Sequence, residues 1–262
     1  MQLPDLAIIA LIEGVADVLP VDATGHALAV SKLAGWRAGT IAASVHLGAA
    51  LALLLYLWRD MAAIGLGLWR VRRRRIEPGT VLLLKAVMAA LPWIVAVAAL
   101  GAAPVPGLGD LKAVGLITIV SALFMGAVDR MSMTVKRIEH LERSSALVVG
   151  VIQLLALVPG VGRVAIGLTT ARLFGLERPH AYRFVLLANL PILLVEGIGR
   201  SLHYYSQGLG PTETDLLAAA VTFLLVLLAV SLTMAWIRRA GLLPFCLYRL
   251  AFGAGLIALA SV

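Results

Sequence analysis

Charged residues and cysteines are scarce in this sequence of 262 residues. Only 14% of the residues are charged, whereas a soluble domain carries about 25%. The single cysteine, Cys246, lies in an apolar run and excludes an intramolecular disulfide. Nucleotide-binding glycine loops, zinc-site spacings and the nucleophile-elbow motif are also missing. The sequence therefore carries no signature of a soluble nucleotide-dependent or zinc-dependent enzyme.

Apolar residues dominate the chain instead. They make up 61% of it, with a mean hydropathy of +0.98. Segments long enough to span a hydrocarbon core of about 30 Å, which takes roughly 20 residues, occur six times. These predicted spans are 40–58, 80–100, 112–129, 180–202, 215–236 and 243–261. The sequence therefore predicts an all-α membrane protein that forms one polytopic domain over residues 1–262. No cleavable signal peptide is expected, because the N-terminus lacks a basic stretch and acidic residues interrupt its apolar run.

The basic residues lie beside the predicted spans, mainly in segments 59–79, 129–145 and 238–239. The net charge of +8 alone could suggest a nucleic-acid partner, but this placement is typical of cytoplasmic loops, so no nucleic acid is expected. If six spans each cross once, all three segments fall on one side of the membrane. That side is then cytoplasmic, and both termini face outward.

Two apolar segments, 11–35 and 150–175, are interrupted in the same way. Each has an apolar run, a proline, a turn of small residues and a second run that ends in glycine. Backbone freed by such a break must be buried in protein or line a cavity, because lipid cannot satisfy it. The match predicts two re-entrant helical hairpins in an inverted repeat of about 1–129 and 130–262, with tips that meet near the membrane midplane. The alternative, in which one hairpin spans, would scatter the basic loops over both faces.

Glu13 and Asp17 are four residues apart in the first broken segment, so on a helix they share a face at about 6 Å. Two carboxylates in lipid repel each other and are costly to bury, which a divalent cation or a shared proton would relieve. Oxygen ligands suit Mg²⁺ or Ca²⁺, so the pair is the predicted metal site. The alternative is that Glu13 caps or solvates an interfacial helix end.

Asp22, Thr24, Gly25 and His26 follow the proline of the first broken segment. Asp22 or Thr24 is suited to cap the second arm. The free amides at the start of that arm predict a phosphate-binding site that includes these residues and Gly25. His26, about one turn inside the arm, could serve as nucleophile or as general acid or base. The alternative is a packed histidine bonded to a carbonyl.

The tip of the second broken segment contains Gly160, Gly162 and Arg163. A guanidinium at membrane depth needs a partner and matches phosphate oxygens with bidentate geometry. The two glycines let the backbone approach an anion closely. These residues are therefore predicted to bind phosphate. The alternative is a salt bridge to Glu13 or Asp17, and both can hold if a phosphate lies between the facing tips.

Other polar residues are predicted to lie outside the site. His46 is mid-span and is expected to be a satisfied core histidine. Glu196 and Arg200 are expected to pair or to reach toward water near an outer helix end. Tyr248 and Arg249 are expected to anchor an inner helix start at the interface.

Residues 13–26, EGVADVLPVDATGH, and residues 159–165, PGVGRVA, resemble the two motifs of the undecaprenyl-diphosphatase family of integral membrane phosphatases, the bacitracin-resistance type. That family carries Glu-Gly-x-x-Glu-x-x-Pro-x-Ser-Ser-Thr-Gly-His in its first half and Pro-Gly-x-Ser-Arg-Ser-Gly in its second. The resemblance covers the whole chain, and two motifs in the right order make it specific.

The chain departs from those motifs at the second glutamate and at all four serines. The second glutamate is Asp17, the adjacent serines are Asp22 and Ala23, and the serines beside the arginine are Gly162 and Val164. A serine nucleophile is therefore not available at Ala23. Attack by the motif histidine or by an activated water remains open.

The resemblance implies a phosphatase that removes the terminal phosphate of a polyprenyl diphosphate at the outer face of a bacterial plasma membrane and so recycles the lipid carrier for cell-wall synthesis. Glu13 and Asp17 would hold a divalent cation, Arg163 would stabilise the transferred phosphoryl group, and Thr24 would donate to a phosphate oxygen. His26 would be nucleophile or general acid–base. The missing hydroxyls favour an alternative: a protein of the same fold that binds or transports a polyprenyl monophosphate without hydrolysis.

Overall fold

Helices form nearly all of the computed structural model, which describes residues 7–35, 41–71, 73–100, 110–132 and 135–261. Within these ranges no strand forms, and extended pairing is limited to an isolated parallel bridge between Lys136 and Leu176. The predicted all-α class is therefore confirmed for the described part of the chain. Helix length and hydropathy identify the segments that are able to cross a membrane.

The α-helices are named here in chain order. They are α1 (Ala23–Ala34), α2 (Ala42–Tyr56), α3 (Trp58–Val71), α4 (Pro78–Leu100), α5 (Leu111–Met131), α6 (Arg143–Gln153), α7 (Arg163–Leu173), α8 (Arg178–Ser206), α9 (Glu213–Ala240) and α10 (Leu243–Leu259). A π-helix covers Ala10–Val15, and short 3₁₀ helices cover Ile138–His140 and Leu154–Leu157.

Helices α4, α5, α8 and α9 are long and apolar enough to cross a membrane. They confirm the predicted spans 80–100, 112–129, 180–202 and 215–236. The chain is a multi-pass membrane protein. Helix α10, at 17 residues, is a shorter apolar helix, so the span at 243–261 stays a prediction.

The predicted span at 40–58 coincides with α2, but the chain bends by 81° between α2 and α3. Charged residues begin at this bend, and two exposed tryptophans mark α3. Arg59 lies over the Trp58 ring at 5.3 Å, and Arg73 lies over the Trp69 ring at 4.6 Å. Tryptophan and arginine together are typical of a membrane interface, so α3 has the composition of a helix that lies along the surface. Together α2 and α3 count as a fifth span only if the bent pair is one crossing.

Small residues bring the helices close together. A Cβ added at Gly150 of α6 would lie 2.3 Å from the Ala89 carbonyl oxygen of α4. Gly115 of α5 and Gly253 of α10 approach each other reciprocally, since a Cβ at either would lie within 2.7 Å of the other's carbonyl oxygen. Close backbone approach through small residues is how membrane helices gain packing energy without a hydrophobic driving force.

Both interrupted segments break at the predicted places. The first passes from the π-helix through a turn at 16–21 into α1, and the second passes from α6 and the 3₁₀ helix through 158–162 into α7. Their tips touch: the Gly160 amide donates to Asp22 Oδ2 at 2.7 Å, and a Cβ on Gly162 would lie 2.3 Å from the Val21 carbonyl oxygen. The prediction that the two tips meet is confirmed.

Backbone carbonyls freed by the breaks find donors on other helices. Tyr182 of α8 donates its hydroxyl to the Val18 carbonyl at 2.9 Å, and Asn189 donates to the Asp17 carbonyl at 2.9 Å. Arg249 of α10 donates to the carbonyls of Gly160 at 2.8 Å and of Val161 at 2.7 Å. These bonds replace the helical partners that the breaks removed, as a membrane interior requires.

Candidate functional site

A polar cavity of about 310 Å³ lies beside the touching tips. The first broken segment, α2, α4, α7 and α8 contribute its walls. Its charged and polar lining residues are Glu13, Asp17, Asp22, Thr24, His46, Arg163, Glu196 and Arg200. Ionisable side chains are rare in membrane helices unless they face such a cavity and one another.

Arg163 begins α7 and is only 7% exposed. One terminal nitrogen donates to Asp17 Oδ2 at 3.0 Å, and the other lies 3.4 Å from Glu196 Oε1. The guanidinium carbon lies 4.8 Å from the centre of the Trp93 ring, within range of a cation–π contact. The predicted contact between Arg163 and an acid of the first segment is confirmed, and it is Asp17 that makes it.

Glu196 is a cavity residue, which the sequence did not indicate. Beyond Arg163, its Oε1 accepts from Trp93 Nε1 at 2.8 Å, and its Oε2 lies 3.3 Å from His46 Nε2. The expectation that Glu196 pairs with Arg200 or points toward water was therefore wrong. The spacing in α8 is consistent with this position: Asn189 is seven residues earlier, two turns along the same face, and it donates to the Asp17 carbonyl in the first broken segment.

His46 of α2 is buried, with 4% exposed. Its Nδ1 lies 2.5 Å from the Ala42 carbonyl oxygen, so Nδ1 carries the donated proton. Its Nε2 faces Glu196 Oε2 at 3.3 Å and Asp17 Oδ2 at 3.7 Å. His46 is thus the buried, hydrogen-bonded histidine that was expected, but it also lines the cavity, which was not expected. An ionisable residue in the middle of a membrane helix was the signal available.

Asp17, His46 and Glu196 form a group that could hold a metal ion. Each offers one ligand atom, and these atoms lie within 4.8 Å of one another. The sequence predicted a metal at Glu13 and Asp17. Glu13 lines the same cavity, but the donors that converge on Asp17 come from α2 and α8.

Asp22 fastens the two tips together. Its Oδ2 accepts from the Gly25 amide and from the Gly160 amide, both at 2.7 Å, and only 2% of the residue is exposed. Asp22 is thus the N-cap of α1, one of the two caps predicted. The Gly25 and Gly160 amides, predicted as phosphate donors, are bonded to this carboxylate. Thr24 lines the cavity beside them.

Gly160 and Gly162 have φ of +98° and +75°. This left-handed region disfavours side chains, and both glycines contact backbone of a neighbouring segment. Close packing of Gly160 against α5 and of Gly162 against the first tip therefore explains their presence. Their predicted role in binding phosphate stays a prediction.

His26 lies in a different place from the cavity. It stacks on Phe252 with ring centres 3.9 Å apart, its Nδ1 lies 2.5 Å from the Asp22 carbonyl oxygen, and its Nε2 lies 2.6 Å from the Tyr248 hydroxyl. It lines an apolar groove of about 490 Å³ that shares only Ala16 and Val21 with the cavity. The carbonyl bond is that of the packed-histidine alternative, and a catalytic role for His26 stays a prediction.

Helix α10 carries two polar residues that were expected at the interface, and one of them, Arg249, faces inward. Arg249 is 1% exposed and bonds Ser121 as well as the second tip. Its assignment as an interfacial anchor was wrong. Arg249 instead points inward and donates to the carbonyls that the second break leaves without helical partners. Tyr248 is 49% exposed but is bonded to His26.

Comparison with known proteins places this arrangement in a family. Residues 6–255 match the family model described as Bacitracin resistance protein BacA. Undecaprenyl-diphosphatase 1 of Rhodospirillum rubrum is 38% identical, over 99% of this chain and 96% of the relative. Undecaprenyl-diphosphatase 1 of Paramagnetospirillum magneticum is 33% identical, over 99% of this chain and 98% of the relative. Undecaprenyl-diphosphatase of Ruegeria pomeroyi is 32% identical, over 99% of each chain. With the family model covering nearly the whole chain, the protein belongs to the BacA family of bacitracin resistance proteins.

Proposed function

We propose that this protein hydrolyses undecaprenyl diphosphate, or a similar polyprenyl diphosphate, to the monophosphate and inorganic phosphate. The observation that carries the proposal is the buried Arg163 held by two carboxylates at a polar cavity between the broken segments. The names of the relatives support the same activity. The reaction would return the lipid carrier to cell-wall synthesis.

Arg163 would bind and stabilise the phosphoryl group that is transferred. Phosphoryl transfer relies mainly on positioning and charge neutralisation, and Arg163 is already oriented by Asp17, Glu196 and the Trp93 ring. A guanidinium fixed in this way loses little further side-chain entropy on binding. Thr24, at the edge of the same cavity, would donate to a phosphate oxygen.

A divalent cation would neutralise charge on the diphosphate. The residues fit such an ion because acids from two segments and an imidazole converge in the cavity. Asp17 is the common member of the predicted pair with Glu13 and of the group with His46 and Glu196. The carboxylates of this group would hold the ion in the cavity that Arg163 also lines.

A water molecule would make the attack, because Ala23 has no hydroxyl and His26 lines the other side of the first tip. The water oxygen bonds to the terminal phosphorus, and the bond from phosphorus to the bridging oxygen breaks. Polyprenyl monophosphate leaves with that electron pair. Glu13 would accept the proton of the water, since it lines the cavity. His26 would act indirectly, by fixing the Asp22 carbonyl and so the tip.

The membrane arrangement we propose is six crossings, two re-entrant hairpins and an inverted repeat in a bacterial plasma membrane. The reciprocal approach of Gly115 and Gly253, in the last helix of each half, supports a two-fold relation. The basic segments 59–79 and 129–145 would be cytoplasmic. The cavity would then open to the outer face, where the diphosphate is released from cell-wall synthesis.

The test is phosphate release from undecaprenyl diphosphate by purified protein, with and without a chelator. We expect release by the wild type and a loss of about 10²–10³ in rate for Arg163→Lys, as when one preorganised donor is removed. Arg75→Lys, at an exposed position, is the matched control and should keep the full rate. A wild type that binds the lipid but releases no phosphate would contradict the proposal and favour the binding or transport alternative.

A further inference from the structure

We propose that Asp17, His46 and Glu196 form a site for a divalent transition metal of the Zn²⁺ type, and not for Mg²⁺ or Ca²⁺. The inference deepens the proposed function, on which its role in catalysis rests. The site itself is argued from the contacts of three side chains, and its test needs no turnover.

The distances between the three side chains match the spacing of ligands around one shared ion. Two ligands of a tetrahedral Zn²⁺ at about 2.1 Å lie about 3.4 Å apart. His46 Nε2 lies 3.3 Å from Glu196 Oε2 and 3.7 Å from Asp17 Oδ2. A separation of 3.7 Å is too long for a hydrogen bond, so Asp17 Oδ2, which the Arg163 guanidinium holds at 3.0 Å, faces the ring without bonding to it.

The position of the proton on the His46 ring also supports a metal ion at this place. Because Nδ1 donates to the Ala42 carbonyl, a neutral ring presents the Nε2 lone pair to two carboxylates. The Arg163 guanidinium offsets the charge on Asp17 Oδ2, and a cation between the three atoms would offset the repulsion that remains between the Nε2 lone pair and the two carboxylates. Bonding of the other ring nitrogen to a backbone carbonyl is also the usual support of a metal-bound histidine.

The other contacts of the carboxylates leave room for an ion. Trp93 and Arg163 both bond Glu196 through Oε1, which leaves Oε2 toward His46. Arg163 bonds Asp17 through Oδ2, the same oxygen that faces His46, so an ion would use the second lone pair of that oxygen. A metal-bound carboxylate normally has such outer partners, which fix its orientation.

The formal charges of the cavity lining do not balance when His46 is neutral. Its lining contains four carboxylates, from Glu13, Asp17, Asp22 and Glu196, and two guanidinium groups, from Arg163 and Arg200. With His46 neutral, two negative formal charges remain. One divalent cation neutralises them, which favours binding in a buried setting.

The imidazole ligand selects the kind of metal. Mg²⁺ and Ca²⁺ prefer oxygen ligands only, whereas imidazole suits Zn²⁺ and its neighbours in the transition series. A sequence reading from Glu13 and Asp17 alone gives an all-oxygen site and thus Mg²⁺ or Ca²⁺. The presence of His46 changes that expectation.

The experiment measures metal binding to purified, chelator-treated protein without substrate. We expect one Zn²⁺ per chain by elemental analysis, retained in the presence of millimolar Mg²⁺ or Ca²⁺. His46→Gln replaces the ligand nitrogen by an amide and should weaken Zn²⁺ at least about 100-fold, since even outer partners of a ligand contribute 10–100-fold. Glu196→Gln should also weaken it and provides a second variant if the first fails to fold.

His203→Gln, at an exposed position near the end of α8, is the matched control and should bind as the wild type does. Binding of Mg²⁺ or Ca²⁺ in preference to Zn²⁺, or unchanged Zn²⁺ affinity in a folded His46→Gln, would overturn the proposal. So would a wild type that binds no metal, which would make His46 an imidazolium between two carboxylates. Zn²⁺ binding without phosphate release would instead refute the phosphatase proposal and leave the metal site standing.

Discussion

Replacing Asp22 should reveal how strongly the two halves of the chain are held together. One oxygen of this buried carboxylate accepts from an amide in each tip, Gly25 and Gly160, at 2.7 Å. Asp22→Ala removes this shared acceptor and leaves two buried N–H groups without a partner. Asp22→Asn keeps an oxygen of the same reach but removes the charge. The two variants therefore separate geometry from charge.

The size of the effect follows from these bonds. A buried polar group left without a partner is destabilising by about 1–3 kcal/mol, so Asp22→Ala should lower the free energy of unfolding by about 2–6 kcal/mol. Charge-assisted hydrogen bonds are roughly twice as strong as neutral ones. Asp22→Asn should therefore lower the free energy of unfolding by about half as much as Asp22→Ala does.

Denaturant unfolding in detergent micelles, followed by tryptophan fluorescence, measures the loss. Asp110→Ala is the matched control, because Asp110 also caps a helix, with its carboxylate 3.2 Å from the Ala113 amide, but it is exposed. It should lose only about 1 kcal/mol, the usual contribution of an N-cap. The reasoning is refuted if Asp22→Ala loses no more than Asp110→Ala, or if asparagine is as harmful as alanine at position 22.

Three further predictions concern the reaction and the topology. Ala23→Ser should leave phosphate release unchanged or raise it, because attack by water does not need that hydroxyl; a large loss would contradict this. Glu13→Gln should lower the rate by about 10²–10⁴, the usual contribution of a general base, and His26→Gln should lower it less; the reverse order in a rate assay would identify His26 as the attacking group or base. A cysteine placed at Arg73 should react with a membrane-impermeant reagent only after the cells are opened, and labelling from outside would refute the topology.

The sequence predicted the parts of the fold that depend on whether each segment is more stable in lipid or in water. Four spans, the two breaks and the contact of Arg163 with Asp17 follow from hydropathy and from the high energy of unpaired charge in lipid. The bend before Trp58 was missed, because an apolar window does not show where a helix turns along a surface.

The sequence did not predict which helices would close the site. His46 and Glu196 meet only because α2 packs against α8, and no local pattern encodes that pairing. Arg249 was misplaced for a related reason. Its position near the start of α10 suggested an interface, whereas its hydrogen bonds are to carbonyls at a break 88 and 89 residues earlier.

The donors that satisfy the first break have a consequence for biogenesis. The donor to the Val18 carbonyl is Tyr182, which is synthesised 164 residues later. The donor to the Asp17 carbonyl is Asn189, which is synthesised 172 residues later. During synthesis the first broken segment therefore has unpaired backbone until α8 arrives, so it must stay in water or beside the insertion machinery instead of entering lipid. A nascent chain that stops before Tyr182 should keep this segment open to added protease, and the segment should become protected once α8 is complete.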